Sequence, residues 1–281
     1  MINIDELIQQ ANDLAPLPAS TVRLAQLVSS PDYHMEEVVA LIDFDQALTV
    51  KLLRAANSAA EASKTKVGTV GEAVLRLGAA RILSMAVATG AKPLLQNRLP
   101  AYGLDEGGLW RHSVAAAVAA EVLPGFCQQD IPPESFTAAL LHDVGKLVMG
   151  RFIDPKILGY IQQAQEVEKI GRLEAEMLIL KVHHAELGGL IARHWQLPER
   201  VAQAIGYHHQ PELPHERVCD VTYVANQIAK SIEAGLEGRT VETHIDPAVA
   251  DRIGLTLEKL PDLCSTAATR YQQVNLRYNA T

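Results

Sequence analysis

The heptapeptide LLHDVGK, Leu140 to Lys146, sets an imidazole beside a carboxylate at the end of an apolar run, with a glycine and a lysine close behind. On a helix of 3.6 residues per turn, adjacent side chains diverge by about 100°. A cation lying between those two directions, at the helix end, is within reach of both His142 and Asp143. Gly145 leaves room for something to approach the backbone, and Lys146 suits contact with an anion such as phosphate. Seven of the ten histidines lie between His142 and His215. Other imidazoles stand at comparable places. His112 sits in WRHSVAAAVAAEVL, His184 opens HAELGGLIARHW, and His208 and His209 close VAQAIGYHH just before Pro211.

A lone histidine at the end of an apolar helix ordinarily packs or caps. A set of buried imidazoles beside a carboxylate is different, because without a metal or a hydrogen-bond network it would be costly. Neutral imidazole is a common ligand of Fe, Zn and Ni, whereas Mg prefers oxygen. His112, His142, Asp143, His184, His208 and His209 are therefore the candidate ligands, brought by four separate helices. His183, His194, His215 and His244 read as surface or loop residues, and Trp110 and Trp195 as core.

The elements that must position them all read as helices. Apolar residues recur at three and four positions in VRLAQLVSS, MEEVVALIDFD, LTVKLLRAANSA and GEAVLRLGAARILSMAVATGA, and no stretch alternates with period two. Ser30, Pro31 and Asp32 form a helix-start signal, Asp45 reads as an N-cap, and Asn57 as a buried turn or helix-end hydrogen bonder. The pattern loosens between Lys92 and Trp110, where prolines and glycines accumulate. A polar segment around EAGLEGRT precedes a last helix near Leu263 to Val274. The fold class is all-α in two parts: an N-terminal helical bundle, residues 1–103, packed on a second bundle, residues 104–281.

Composition bounds the function classes. With 281 residues, 48% of them apolar, the chain can bury a sizeable core. A net charge of −8 without a Lys/Arg run argues against direct nucleic-acid binding. Three widely spaced cysteines show no CxxC spacing and fit a reducing, cytoplasmic setting. The polar, acidic start is unlike a signal peptide, and no apolar run approaches the roughly 20 residues of a membrane span.

LLHDVGK, with an upstream helix histidine and the downstream HHAELGGLIARHWQLPERVAQAIGYHHQPE, resembles the HD superfamily of helical, metal-holding enzymes. More narrowly, LAPLPASTVRLAQLVSSPDY, VALIDFDQALTVKLLRAANSA, GEAVLRLGAARILSMAVA and WRHS are similar to the HDOD family, the HD-related output domains of bacterial signalling. The match runs from about residue 14 to 212. The resemblance implies metal ligands at His112, His142, Asp143, His184, His208 and His209, the positions used by the related HD-GYP cyclic-dinucleotide phosphodiesterases.

Three departures alter that implication. Asn226 stands at the place of the closing aspartate, Gly108 stands where those enzymes can carry an extra glutamate, and the chain after His209 lacks the GYP loop. Asp220, six residues before Asn226, points about 240° round the helix and cannot substitute. Two divalent ions bring four positive charges against one surviving carboxylate, so a two-metal hydrolytic centre is poorly supported. A single transition metal (Fe, Zn, Ni or Mn), or an empty pocket, fits better. The first functional expectation is a non-catalytic signalling output module that binds a protein partner or small-molecule ligand. The alternative is an HD-type metal-dependent phosphohydrolase with Lys146 on phosphate. A third class is a sensor whose conformation follows its metal.

Overall fold

The computed structural model describes residues 4–43, 45–58 and 66–279, and among these the regular elements are helices. The first six are α1 (Ile4–Asn12), α2 (Ala19–Val28), α3 (Met35–Asp43), α4 (Gln46–Ser58), α5 (Val70–Leu77) and α6 (Ala79–Leu95). There follow α7 (Gly108–Val122), α8 (Ser135–Leu141), α9 (Gly145–Phe152), α10 (Pro155–Glu168) and α11 (Arg172–Leu180). The chain ends with α12 (His184–His194), α13 (Glu199–Gly206), α14 (Arg217–Leu236), α15 (Pro247–Ile253) and α16 (Leu260–Asn279).

Local chemistry explains most boundaries. Asp45 accepts from the Leu48 amide and opens α4, while Ser20 holds its other oxygen. The start signal at Ser30–Asp32 falls short of its helix, since α3 begins at Met35 and the His34 amide donates to Glu37. Thr69 and Glu72 form a reciprocal capping box at α5. The long apolar stretch around GEAVLRLGAARILSM is two helices, because Gly78 at φ +78° turns the chain through 106°. Asn57 donates to the carbonyls of Leu53 and Val67 and accepts from the Val67 amide, tying the end of α4 to the start of the next segment. Three helices, α1, α10 and α15, were not anticipated from periodicity. Both α10 and α15 start at an Asp followed by Pro, with Asp154 capping Ile157 and Asp246 capping Ala248.

One apolar core runs continuously from Leu7 to Tyr271, across the segment where the sequence pattern loosens. Its axis is α7, in which twelve of fifteen residues are buried, so the helix is enclosed on all sides by α8, α14 and α16. The alanine-rich sequence of α7 lets these neighbours approach closely and carries His112 into the interior. On the other side of the site α12 lies against α9 and α13. The N-terminal α1 folds back onto α9 and α12, and the indole N–H of Trp195 donates to the Leu14 carbonyl. Trp110 and Trp195 are both core residues, as expected. Among the described residues, no single helix is long and apolar enough to cross a membrane.

Candidate metal centre

Each candidate ligand occupies a helix terminus or the interior face of α7. His112 lies one turn into α7. His142 closes α8, and Asp143 falls in the short break before α9. His184 is the first residue of α12, held there by a cap in which the His183 ring accepts from the Glu186 amide. His208 and His209 stand in the turn just beyond α13, not within the helix.

Two glycines close the frame. A Cβ on Gly145 would lie 1.9 Å from the His184 carbonyl oxygen and 2.7 Å from the Gly188 amide. The room that Gly145 leaves is thus filled by the start of α12, and this contact fixes Asp143 against His184. The anion beside Lys146 is likewise internal: its Nζ lies 2.5 Å from Asp143 Oδ2.

Four imidazoles are oriented by their Nδ1 atoms. His142 Nδ1 donates to the Ala139 carbonyl at 2.7 Å and His208 Nδ1 to the Ile205 carbonyl at 2.8 Å. His112 Nδ1 donates to Glu233 at 3.0 Å and His184 Nδ1 to Glu176 at 2.7 Å. An N–H committed at Nδ1 leaves the lone pair of neutral imidazole on Nε2. All four Nε2 atoms converge on Asp143. Those of His112 and His142 lie 3.6 and 3.4 Å from Oδ2 and 3.2 Å from one another. Those of His184 and His208 lie 3.5 and 3.7 Å from Oδ1, and His209 Nε2 is 3.1 Å from His184 Nε2.

The donors form two groups with metal-ligand spacing: His112, His142 and Asp143, and His184, His208 and His209. Bonds of about 2.1 Å at tetrahedral or octahedral angles put neighbouring donors roughly 3.0–3.4 Å apart. The pairs given above, at 3.1 to 3.7 Å, lie within tenths of an ångström of that spacing, and all donors of each group lie within 4.8 Å of one another. Asp143 Oδ1, His208 Nε2 and Asn226 Oδ1 are buried without a hydrogen-bond partner. Asp143 Oδ1 and His208 Nε2 are both acceptors and lie 3.7 Å apart, so what the site calls for is a cation or a donor. The chemistry of the donor set fits a transition metal.

Protonation states follow from burial. Burial holds the His142 and His208 imidazoles below their ordinary range, and neighbouring imidazoles push His208 further. Burial and the adjacent His184 lower His209 to about 3. Burial alone would raise the Asp143 carboxyl, but Lys146 and the surrounding imidazoles outweigh it and keep it well below its usual value. At neutral pH His142, His208 and His209 are therefore neutral imidazoles beside the Asp143 carboxylate, the form that binds metal.

Two carboxylates in the site went unrecognised in the sequence. Glu176 is fully buried, accepts from both the amide and Nδ1 of His184, and pairs with Arg172 at 3.0 Å. Burial opposes its charge, yet those partners lower its pKa to about 2. Its i,i+4 spacing from Arg172 looks like an ordinary surface pair, which hid it. Glu233 lies seven residues after Asn226, two turns along the same face of α14, and that spacing was a readable signal. Asp220 is held by Arg252 through both oxygens, away from the centre, as the helical angle predicted. His194, His215 and His244 are exposed, whereas His183 is half-buried in its capping role.

The family model for the HDOD domain matches residues 14–211. The chain belongs to the HDOD family. A Treponema pallidum (strain Nichols) protein is 27% identical over 210 residues, covering 74% of this HDOD chain and 40% of its own length. The chain thus spans about two fifths of that relative. Among solved structures, a Marinobacter aquaeolei VT8 protein named for signal transduction gives a TM-score of 0.72 at 22% identity, over 98% of this chain and 64% of that one. A Shewanella amazonensis SB2B protein named for phosphohydrolase activity gives 0.64 at 23% identity, over 95% and 97%. At these identities the likeness is one of fold, and the HDOD chain shares with them the helical scaffold.

Proposed function

We propose that this HDOD chain is a signalling output module that holds a metal in an HD-type centre and acts by binding a protein partner or small-molecule ligand, without turning over a phosphoester. The observation that carries this reading is the charge inventory around the donors. Among the described residues Asp143 is the one carboxylate within reach of both histidine groups, and the residue of α14 at the place of the closing aspartate of the HD-GYP pattern is the neutral amide Asn226. Two-metal hydrolysis clamps the attacking and leaving oxygens between two divalent ions. Four positive charges against one carboxylate facing the Nε2 atoms, with Glu176 and Glu233 held behind the rings on Nδ1, make that arrangement unfavourable in a buried site. The names of the signalling relatives are consistent with an output role, and the three unpaired cysteines support a reducing compartment such as the cytoplasm. We divide the chain at 103/104 into an N-terminal bundle and the HD-like bundle that carries the metal.

The test is a phosphoester panel on metal-loaded protein, including p-nitrophenyl phosphate, its bis-ester and a cyclic dinucleotide. The expected result is no turnover above that of His142→Ala. His142-dependent turnover would replace this reading with the second, a metal-dependent phosphohydrolase. That second reading is favoured by one feature, the placement of Asp143 between two histidine groups with Lys146 alongside.

A further inference from the structure

We infer that the outward face of α4, together with the pocket at its start, is a docking surface for an acidic amphipathic helix of a partner protein. The inference deepens the partner-binding part of the reading above by naming a surface and the chemistry of the partner. It uses no residue of the metal centre.

Charge is divided unevenly along the chain. Residues 46–103 hold eight Lys or Arg against two Asp or Glu, a net +6 within a total of −8, so the rest of the chain stands at −14. Glu72, the acid of α5, is turned back onto the amides of Gly68 and Thr69 by its capping box. Arg81 is answered by Glu121 at 3.0 Å. Lys51 reaches the Thr89 hydroxyl at 3.3 Å and leaves its charge unmatched. Arg54 is exposed and, among the described residues, makes no hydrogen bond or ion pair.

The shape of the surface goes with its charge. A surface pocket of about 480 Å³ opens between three helices, lined by Ala19, Ser20 and Arg23 of α2, Leu41 of α3, and Asp45 and Gln46. Asp45 spends its oxygens on the Ser20 hydroxyl and the Leu48 amide. The Arg23 guanidinium is exposed and, among the described residues, unpaired. From Gln46 the outer stripe of α4 continues through Ala47, Val50, Lys51 and Arg54, all exposed, with Val50 at 50%. The inner stripe, Leu48, Leu52 and Ala56, packs inward, and Asp45 and Asn57 fix the two ends of the helix. The fold therefore asks nothing of the outer stripe. Gln46 to Arg54 spans about 12 Å, which some three turns of a partner helix cover. The apolar ridge of such a helix meets Leu41 and Val50, and its carboxylates meet Arg23, Lys51 and Arg54.

Nucleic acid and anionic membrane also carry negative charge. An apolar Val50 set among separated cations suits a protein helix better than a phosphate backbone, and Asp43 and Asp45 at the pocket end repel a continuous row of phosphates. A flat bilayer leaves the pocket unfilled.

The experiment is fluorescence anisotropy of the full chain with a labelled peptide about four turns long, leucine at i, i+3, i+4 and i+7 spacing and glutamate elsewhere. The comparison probes are the same peptide with lysine for glutamate, a scrambled acidic peptide of the same composition, a single-stranded oligonucleotide, and vesicles of phosphatidylcholine and phosphatidylglycerol. Saturable binding of the acidic amphipathic peptide is expected, weakened about tenfold by Arg23→Glu or Arg54→Glu and about threefold by Val50→Gln. Val167→Glu on α10, exposed at 65%, should leave it unchanged. Raising salt from about 0.05 to 0.3 M should weaken it. All four substituted side chains are exposed, and circular dichroism confirms the fold of each variant. No binding of the acidic peptide, equal binding of the scrambled or basic peptide, an affinity unmoved by both arginine reversals, or tighter binding of the oligonucleotide or the vesicles would each overturn the inference. None of these outcomes alters the phosphoester panel, which decides the reading above by itself.

Discussion

Replacing Gly145 with alanine probes how tightly the frame of the centre is specified. The added methyl would stand 1.9 Å from the His184 carbonyl oxygen, where ordinary contact begins near 3.4 Å. Both obstructing atoms belong to backbone, so no side chain can swing aside and α9 and α12 must separate by about 1.5 Å. Such overpacking costs about 1–3 kcal/mol. At about 2–4 °C per kcal/mol for a chain of this size, Tm falls by about 2–12 °C. The chemical consequence is sharper, because Asp143 sits two residues before Gly145 and His184 is the residue struck. Their 3.5 Å donor separation would open towards about 5 Å, beyond the roughly 4.2 Å that two metal bonds can span. Wild-type protein with metal at a hundredfold excess over Kd should gain about 2.7 kcal/mol, and Gly145→Ala should gain little of it. Thermal melts with and without Zn²⁺, alongside metal content, measure both effects. Gly159→Ala is the control, since nothing lies within 4 Å of the added carbon on the exposed face of α10, and it should stabilise by about 0.5–1 kcal/mol. A Gly145→Ala protein with wild-type Tm and wild-type metal response would refute the packing argument.

Glu176→Gln removes the charged anchor of His184 and should weaken metal binding by about 10–100-fold in competition with a chromophoric chelator; unchanged affinity would show that the backbone alone orients this ring. Asn226→Asp restores a carboxylate on α14 and should tighten metal binding by about tenfold or more in the same assay, and no change would place Asn226 outside the centre. The metal-free protein should lose stability in acid from a higher pH than carboxylates alone would cause. His142, His208 and His209 have folded pKa values below the unfolded value near 6.5, so the unfolded state binds more protons below that point. Stability is therefore complete above pH 6.5 and falls by up to about 1.4 kcal/mol per pH unit for each such ring as pH drops. Glu176 and Asp143 add to the loss below about pH 4.5. Urea midpoints between pH 7.5 and 5 that do not move would contradict the buried, neutral state of these rings.

Much of the fold was legible because helical periodicity is a local signal. The long apolar stripes of α2, α3, α4 and α6 announce themselves, and so does the cap at Asp45. Where the reading fell short, periodicity was the wrong guide. In α10 only Ile161 and Ala164 are fully buried, and α15 spans seven residues, so neither shows a strong stripe. Their Asp-Pro starts carried the information instead. The division of KVHHAELGG from the helix before it depends on Lys181 at φ +63°, a left-handed position that only the packed structure selects.

The candidate site divides along the same physical line. Imidazoles at helix ends are visible in a sequence because their neighbours are apolar and their spacing follows the helices. Which nitrogen faces inward is not visible, since it depends on partners brought from elsewhere in the chain. Glu233 reaches His112 across 121 residues, and Arg200 joins Glu134 to Glu216 at the base of α13 in the same non-local way. The role of Lys146 shows the limit most plainly. A lysine three residues after an aspartate reads equally as a phosphate contact or a helix-end charge. Only the geometry shows its ammonium against one carboxylate oxygen while the other faces unpartnered histidine nitrogen. That division of Asp143 gives the centre two unlike halves, although the residue types on either side are nearly the same. A donor set counted from sequence treats the two oxygens of Asp143 alike; the position of one flexible cation makes them unlike.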